Sequence, residues 1–220
     1  MVAVVETPTK SSAESSNRSE ILRAASEEFA LKGYAGARTE GIAQAAGVKH
    51  TLVFYHFKTK DQLYSTVLGT VFSEWAERVS HALSGTASPT RRLLAYINSY
   101  FDCFAEFPFA PRLVQQEQLR QRISGPEHLQ QLAKRYVRPV HRKLAALLRE
   151  GISSGEFRDL DIEQCIHSLS ALIIFYFTGS LTLESLDGIE SCSPAHIAVR
   201  REAVLDFVSA ALFTSGSVRK

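Results

Sequence analysis

The chain has 220 residues, 45% of them hydrophobic and 22% charged, with a formal net charge of +2. That length holds one large or two modest domains around a real core, and the composition excludes low-complexity and collagenous classes. Three cysteines (Cys103, Cys165, Cys192) lie far apart without a CxxC pair, which excludes a disulfide framework and a zinc module, so reduced thiols, a cytoplasmic setting and no metal site are expected.

In chain order, the opening MVAVVETPTKSSAESS has a short apolar run without a basic flank and is rich in Ser and Thr. It is too brief for a leader and reads as a disordered arm over residues 1–16. Asn17-Arg-Ser-Glu20 forms a capping box, after which Ile21, Leu22, Ala25 and Phe29 share one helical face until Gly33. Thr39 caps a short second helix that Gly47 breaks, and a third follows over about 49–56. Thr59-Lys-Asp-Gln62 opens a long fourth helix to about Leu83. Ser88-Pro89 opens a fifth, ended near Phe107 by Pro108. Pro111 starts a short sixth. Ser124-Gly-Pro-Glu127 opens a long seventh reaching Glu150, ended by Gly151. Asp161-Ile-Glu-Gln164 opens an apolar eighth reaching Leu183, and Ser193-Pro194 a last helix ending near Phe213. No alternating strand pattern occurs. The expected class is all-α, about nine helices, with an arm at 1–16, a head at 17–62 and a body at 63–215.

The apolar stretch Leu169–Leu183 is shorter than the ~20 residues a membrane span needs, and Ser170, Thr178 and Ser180 interrupt it. It reads as a helix buried in a core or a subunit interface, with no membrane involved.

Residues 17–60 carry seven basic side chains (Arg18, Arg23, Lys32, Arg38, Lys49, Lys58, Lys60) against four acidic ones, a net +3, whereas 61–220 is neutral and 1–16 carries −1. A modest positive excess confined to one short segment is what a phosphate-facing head requires. Within it, three short helices with the turn Ala45-Ala46-Gly47-Val48 before the third have a helix-turn-helix layout. Gly47 supplies the positive φ of a tight turn. Val48, Val53 and Phe57 point inward, leaving the opposite face of the third helix free for a major groove.

The stretch ILRAASEEFALKGYAGARTEGIAQAAGVKHTLVFYHFKTKDQL, from Ile21 to Leu63, resembles the tetracycline-repressor (TetR) family. The shared pattern is IL-x-AA, F-A, GY, T-x-x-x-IA-x-AGV and YHF-x-x-K-x-x-L. The resemblance implies a double-stranded DNA operator read by Thr39, Lys49, His50, Thr51, Tyr55, His56 and Lys60. Taken singly, Thr39 reads equally as a cap, and Tyr55 and His56 as packing residues. The sequence departs from the pattern where Lys49 replaces a capping Ser, Leu52 a hydroxyl residue and Phe54 a phosphate-contacting Tyr. The resemblance also implies a body that binds a small-molecule effector and forms a homodimer through its last two helices, here 161–183 and 194–213. Their apolar residues include Ile166, Leu169, Leu172 and Ile173, then Ile197, Val204, Leu205, Val208 and Leu212.

Aromatics concentrate in the fifth to eighth helices, and Phe101, Phe104, Phe107, Tyr136, Phe175 and Tyr176 are candidates to line an apolar effector cavity, with plain core packing as the competing reading. Arginines 112, 120, 122, 135, 138 and 142 read either as an anion anchor or as a solvated face. Cys103 is a weak redox candidate, because nothing near it in sequence lowers its pKa. No nucleophile elbow, P-loop, GxGxxG or HExxH occurs, so no enzyme activity and no cofactor are expected. The expectation is a ligand-responsive regulator, a repressor released from a palindromic operator by an apolar or aromatic effector. The alternative is a DNA-binding regulator, an activator included, whose body binds a protein partner.

Overall fold

The computed structural model describes residues 10–124, 127–188 and 190–214. The chain forms two compact units, with the boundary between Gly69 and Thr70.

The first unit contains α1 (Lys10–Gly36), α2 (Thr39–Ala45), α3 (His50–Phe57) and the opening turns of α4 (Lys60–Ala82). α1 reaches back over residues 10–16, which had been expected in the arm, and Asn17 sits inside the helix instead of capping it. The physical reason is plain: no Pro or Gly interrupts the chain between Pro8 and Gly33. Residues 1–9 lie outside the described residues. Gly33 adopts φ 67 and ψ 173 and kinks α1 before its last turn. The head's core is made by Ile21 and Phe29 of α1, Ile42 of α2, Val53 and Phe57 of α3, and Leu63 and Tyr64 of α4, all fully buried. Phe29 meets the Tyr64 ring edge-on at 4.8 Å. Each such side chain contributes ~1.5–3 kcal/mol on burial.

The second unit contains the remainder of α4, then α5 (Pro89–Glu106), α6 (Ala110–Ser124), α7 (Glu127–Leu132), α8 (Arg138–Ser153), α9 (Ile162–Thr178), α10 (Ser180–Asp187) and α11 (Pro194–Leu212). Leu93, Ile97, Phe101, Leu144, Leu148 and Ile173 are central to its core. Local caps form where the sequence placed them: Thr59 accepts from the Gln62 N–H at 3.1 Å, Ser88 from Arg91 at 3.4 Å and Asp161 from Gln164 at 3.1 Å. Ser193 instead meets the His196 ring at 2.8 Å.

Two expected long helices are divided. The seventh becomes α7 and α8 with a wide π turn over Ala133–Val137, in which the Arg138 N–H reaches Ala133 O, five residues back. Pro139 is the cause, since it has no N–H and its ring displaces the carbonyl four residues earlier. The eighth bends by 65° between Thr178 and Ser180. Gly179 sits at the bend, where a Cβ would lie 2.8 Å from the Phe175 carbonyl oxygen. Tyr176 Oη donates to Ser191 O at 2.5 Å and Ser191 Oγ to Ser180 O at 3.3 Å, holding the bent segments together.

Among the described residues there is no strand. Phe157 and Phe213 form only an isolated antiparallel bridge, with their rings stacked at 5.4 Å. No single helix is long and apolar enough to cross a membrane.

Gly151 does not end α8, which continues to Ser153; it makes room for Phe157, whose ring would lie 2.2 Å from a Cβ at that position. Gly151→Ala is expected to destabilise the protein by about 1–3 kcal/mol through overpacking. Gly155→Ala, at φ +73 with no atom within 4 Å of the new Cβ, loses only ~1–2 kcal/mol of backbone preference. Thermal denaturation of both variants checks the two magnitudes, each substitution being expected to lower the melting temperature.

Candidate nucleic-acid interface and effector cavity

α2 closes with a left-handed turn. The Val48 N–H bonds Ala43 O at 3.0 Å and the Gly47 N–H bonds Gln44 O at 3.1 Å, the paired bonds of a Schellman cap, with Gly47 at φ +66. The chain leaves this turn pointed into α3. Val53 and Phe57 are buried and Val48 and Leu52 are half-buried, while Lys49, Thr51, Phe54, Tyr55 and Lys58 are exposed. One face of α3 is thus committed to the core and the other is bare.

The residues expected to touch DNA divide into groups. Lys49, Thr51 and Tyr55 stand on the bare face, Tyr55 with 59% of its surface accessible. Thr39 is the first residue of α2, behind Arg38, and makes no side-chain cap. Its hydroxyl is instead 2.9 Å from His50 Nε2, so these two candidates position each other across the helix pair. Glu40 approaches the same nitrogen at 3.7 Å, and the Phe54 ring lies edge-on to His50 at 4.9 Å. His56 turns inward, its Nε2 buried without a hydrogen-bond partner among the described residues. Lys60 Nζ sits over the Tyr34 ring, 4.7 Å from its centroid. Lys58, absent from the sequence-based set, is exposed at φ 53 and donates to Tyr55 O at 3.0 Å. It holds the end of α3 while presenting a cation beside Tyr55. Its position between α3 and the Thr59 cap was the available signal.

The second unit contains a cavity of about 340 Å³, within the range of small-molecule sites. α4 supplies Val71, Phe72 and Trp75; α5 supplies Tyr96, Tyr100 and Phe104; α6 to α9 close it, with Gln118, His141, His167 and Ser170 as polar members. Trp75, Tyr96 and Phe104 gather around Tyr100 as an aromatic wall, their ring centroids 5.1–5.8 Å from its own. Burial holds the Tyr96 and Tyr100 hydroxyls protonated, far above the usual phenol range. The indole Nε1 of Trp75 is buried beside the Tyr100 hydroxyl. Among the described residues no Lys, Arg, Asp or Glu borders this space.

Of the six aromatics expected to line such a cavity, the structure places Phe104 on its wall. Phe101 is buried behind it against Phe177. Phe107 lies by a separate small crevice. Tyr136 stacks on Phe72 at 6.5 Å. Tyr176 is tied to Ser191, and Phe175 faces outward with 67% of its surface accessible. Tyr96, Tyr100 and Phe104 repeat at i, i+4, i+8, a one-face signal present in the sequence but masked by counting aromatics across several helices. Cys103 is buried and burial pushes its thiol up to about 11, which suppresses the thiolate a redox sensor needs.

A family model described as bacterial regulatory proteins, tetR family, matches residues 21–67. A second, described as a tetracyclin repressor-like C-terminal domain, matches residues 89–208. The HTH-type transcriptional regulator RutR of Escherichia coli is 28% identical over 186 residues, covering 84% of this chain and 85% of RutR. The ketosteroid transcriptional regulator KstR2 of Mycobacterium tuberculosis is similar in structure, with a TM-score of 0.72 at 18% identity over 90% of this chain and 95% of that one. The transcriptional regulator FadR from Bacillus subtilis in complex with stearoyl-CoA gives 0.65 at 22% identity, over 86% and 96%.

Thr39→Val removes the hydroxyl from the His50 pair and is expected to lower stability by ~1 kcal/mol. Tyr55→Ala, on the bare face, is expected to change it by no more than ~0.5 kcal/mol. Chemical denaturation of the two variants checks the assignment of paired and open positions.

Proposed function

We propose, for a chain that belongs to the tetracycline-repressor family of bacterial transcription regulators, that it is a cytoplasmic homodimeric repressor released from a palindromic operator by a small apolar or aromatic effector. The observation that carries the effector reading is the aromatic-walled cavity of about 340 Å³. The stearoyl chain of the ligand named in the FadR complex and the ketosteroid named for KstR2 are apolar, which agrees with such a wall.

DNA contact falls to the bare face of α3. Lys49 and Lys58 meet phosphates; Thr51, Tyr55 and Phe54 face base edges or sugars; and His50, steered by Thr39, reaches the groove from the start of the helix. Lys60 and the helix N-termini add anion attraction.

Dimerisation uses α9 and α11, although not through most of the apolar residues counted in the sequence. Ile166, Leu169, Ile173, Ile197, Val204, Val208 and Leu212 are buried within their own unit. What remains outside is a stripe on α11, Ala195, Val199, Ala203, Phe207 and Ala210, at helical spacing, with Ala171 and Phe175 exposed on α9. Phe207 leaves 60% and Val199 68% of their surfaces accessible. A two-fold partner covers this stripe, and its small residues let helices approach closely.

The effector acts by population shift. Val71, Phe72 and Trp75 on the cavity wall belong to α4, the helix whose opening turns give Leu63 and Tyr64 to the head's core. A ligand that prefers one disposition of α4 biases the spacing of the paired heads away from the one that fits successive grooves.

Phe207→Glu is expected to convert the dimer to a well-folded monomer, read by sedimentation and circular dichroism; a persistent dimer overturns this interface. Lys49→Ala is expected to weaken binding to a selected palindromic duplex and to reduce the salt slope by ~0.9, read by fluorescence anisotropy at several salt concentrations. A small-molecule screen read through Trp75, the chain's one tryptophan, tests the effector reading: hits that shift its emission release DNA, and hits that bind without release contradict it.

A further inference from the structure

The cavity combines an aromatic wall with a histidine pair. His141 of α8 and His167 of α9 both border it, with ring centroids 6.5 Å apart. Two imidazole N–H groups converging on one oxygen-bearing group have about that spacing, given N···O distances of ~2.9 Å. Ser170, three residues after His167, is on the wall beside them. His167 is exposed and His141 half-buried, so the pair stands on the solvent side of the apolar wall, and among the described residues no Lys or Arg of the lining offers the fixed cations that a permanent anion such as a phosphate needs.

We propose that the cavity takes an apolar weak acid, with its carboxylate seated between His141 and His167, and that His141 gains a proton from solvent as the acid binds. This rests on reading the cavity as the effector site. Burial lowers the pKa of His141 from its ordinary value, which favours its neutral form near pH 7. Glu163 and His167 face it from α9, the former favouring and the latter opposing its charge. The other wall groups from neighbouring helices are Tyr96 and Tyr100 of α5, held protonated by burial, and the neutral Gln118 of α6. A bound carboxylate raises the His141 pKa, so the complex holds more protons than the free protein and affinity rises as pH falls.

The test titrates the full protein with 2-naphthoate and with 2-naphthamide by calorimetry, from pH 8 to pH 6.5 and in two buffers of different ionisation enthalpy. The expected result is uptake of up to one proton with naphthoate, its affinity rising by as much as about tenfold per pH unit, and a flat profile for the amide. His141→Gln is expected to abolish the pH dependence for naphthoate while leaving amide binding in place. Equal, pH-independent binding of both probes overturns the weak-acid assignment and leaves the cavity as an effector site. Binding of neither overturns both readings.

Discussion

α3 has eight residues, too few to hold a helix in water without outside support. It must therefore be pinned by tertiary contacts, yet a surface that reads DNA has to stay free of them. The head resolves this with two inward anchors, Val53 and Phe57, and with a turn that sets the helix axis before α3 begins. Gly47 occupies left-handed backbone, which costs other residues ~1–2 kcal/mol, and the two bonds from Gly47 and Val48 return to α2. Every other feature of the reading surface depends on that arrangement. Thr39 and His50 meet because the turn brings the two helix starts together. Lys49, Thr51 and Tyr55 stay bare because Val53 and Phe57 fix the rotation of the helix about its axis.

The body is built on the opposite principle. Its helices leave an apolar space of about 340 Å³, one wall of which is α4, the helix that also gives Leu63 and Tyr64 to the head's core. The polar groups around the space are few: Gln118, His141, His167 and Ser170. The outward stripe on α11 is likewise explained by what the unit leaves uncovered: its inward residues already complete a core, and Val199 and Phe207 have no partner within it.

The sequence made local features legible and long-range ones not. The caps at Thr59, Ser88 and Asp161 depend on an N–H three residues away, so a short motif predicts them. Thr39 has the same chemistry, but its hydroxyl is taken by a residue eleven positions along, a competitor that no local motif reveals. The three-helix layout of the head was legible because its pattern is long, and the family model matches it over residues 21–67. The cavity was not. Phe175 and Phe104 look alike in a sequence, and only the packing decides that one faces solvent and the other the cavity. Trp75 lies on α4, outside the aromatic-rich fifth to eighth helices, and His141 meets His167 of another helix, a pairing that no sequence spacing reveals. Pro139 and Gly179 were visible, but their effects, a π turn and a sharp bend, depend on which alternative the surrounding core accepts.

In the proposed dimer, two bare α3 faces stand at a groove-matching distance that cavity occupancy changes. The direct measurement is the distance between spin labels placed at Thr51→Cys on the two protomers, determined by pulsed electron resonance with DNA and with a cavity ligand. The expected distance is near one DNA turn, ~34 Å, or a multiple of it, when DNA is bound, with a different distribution when a ligand occupies the cavity. Labels whose separation matches no groove spacing on DNA, or does not move when ligand binds, would contradict it.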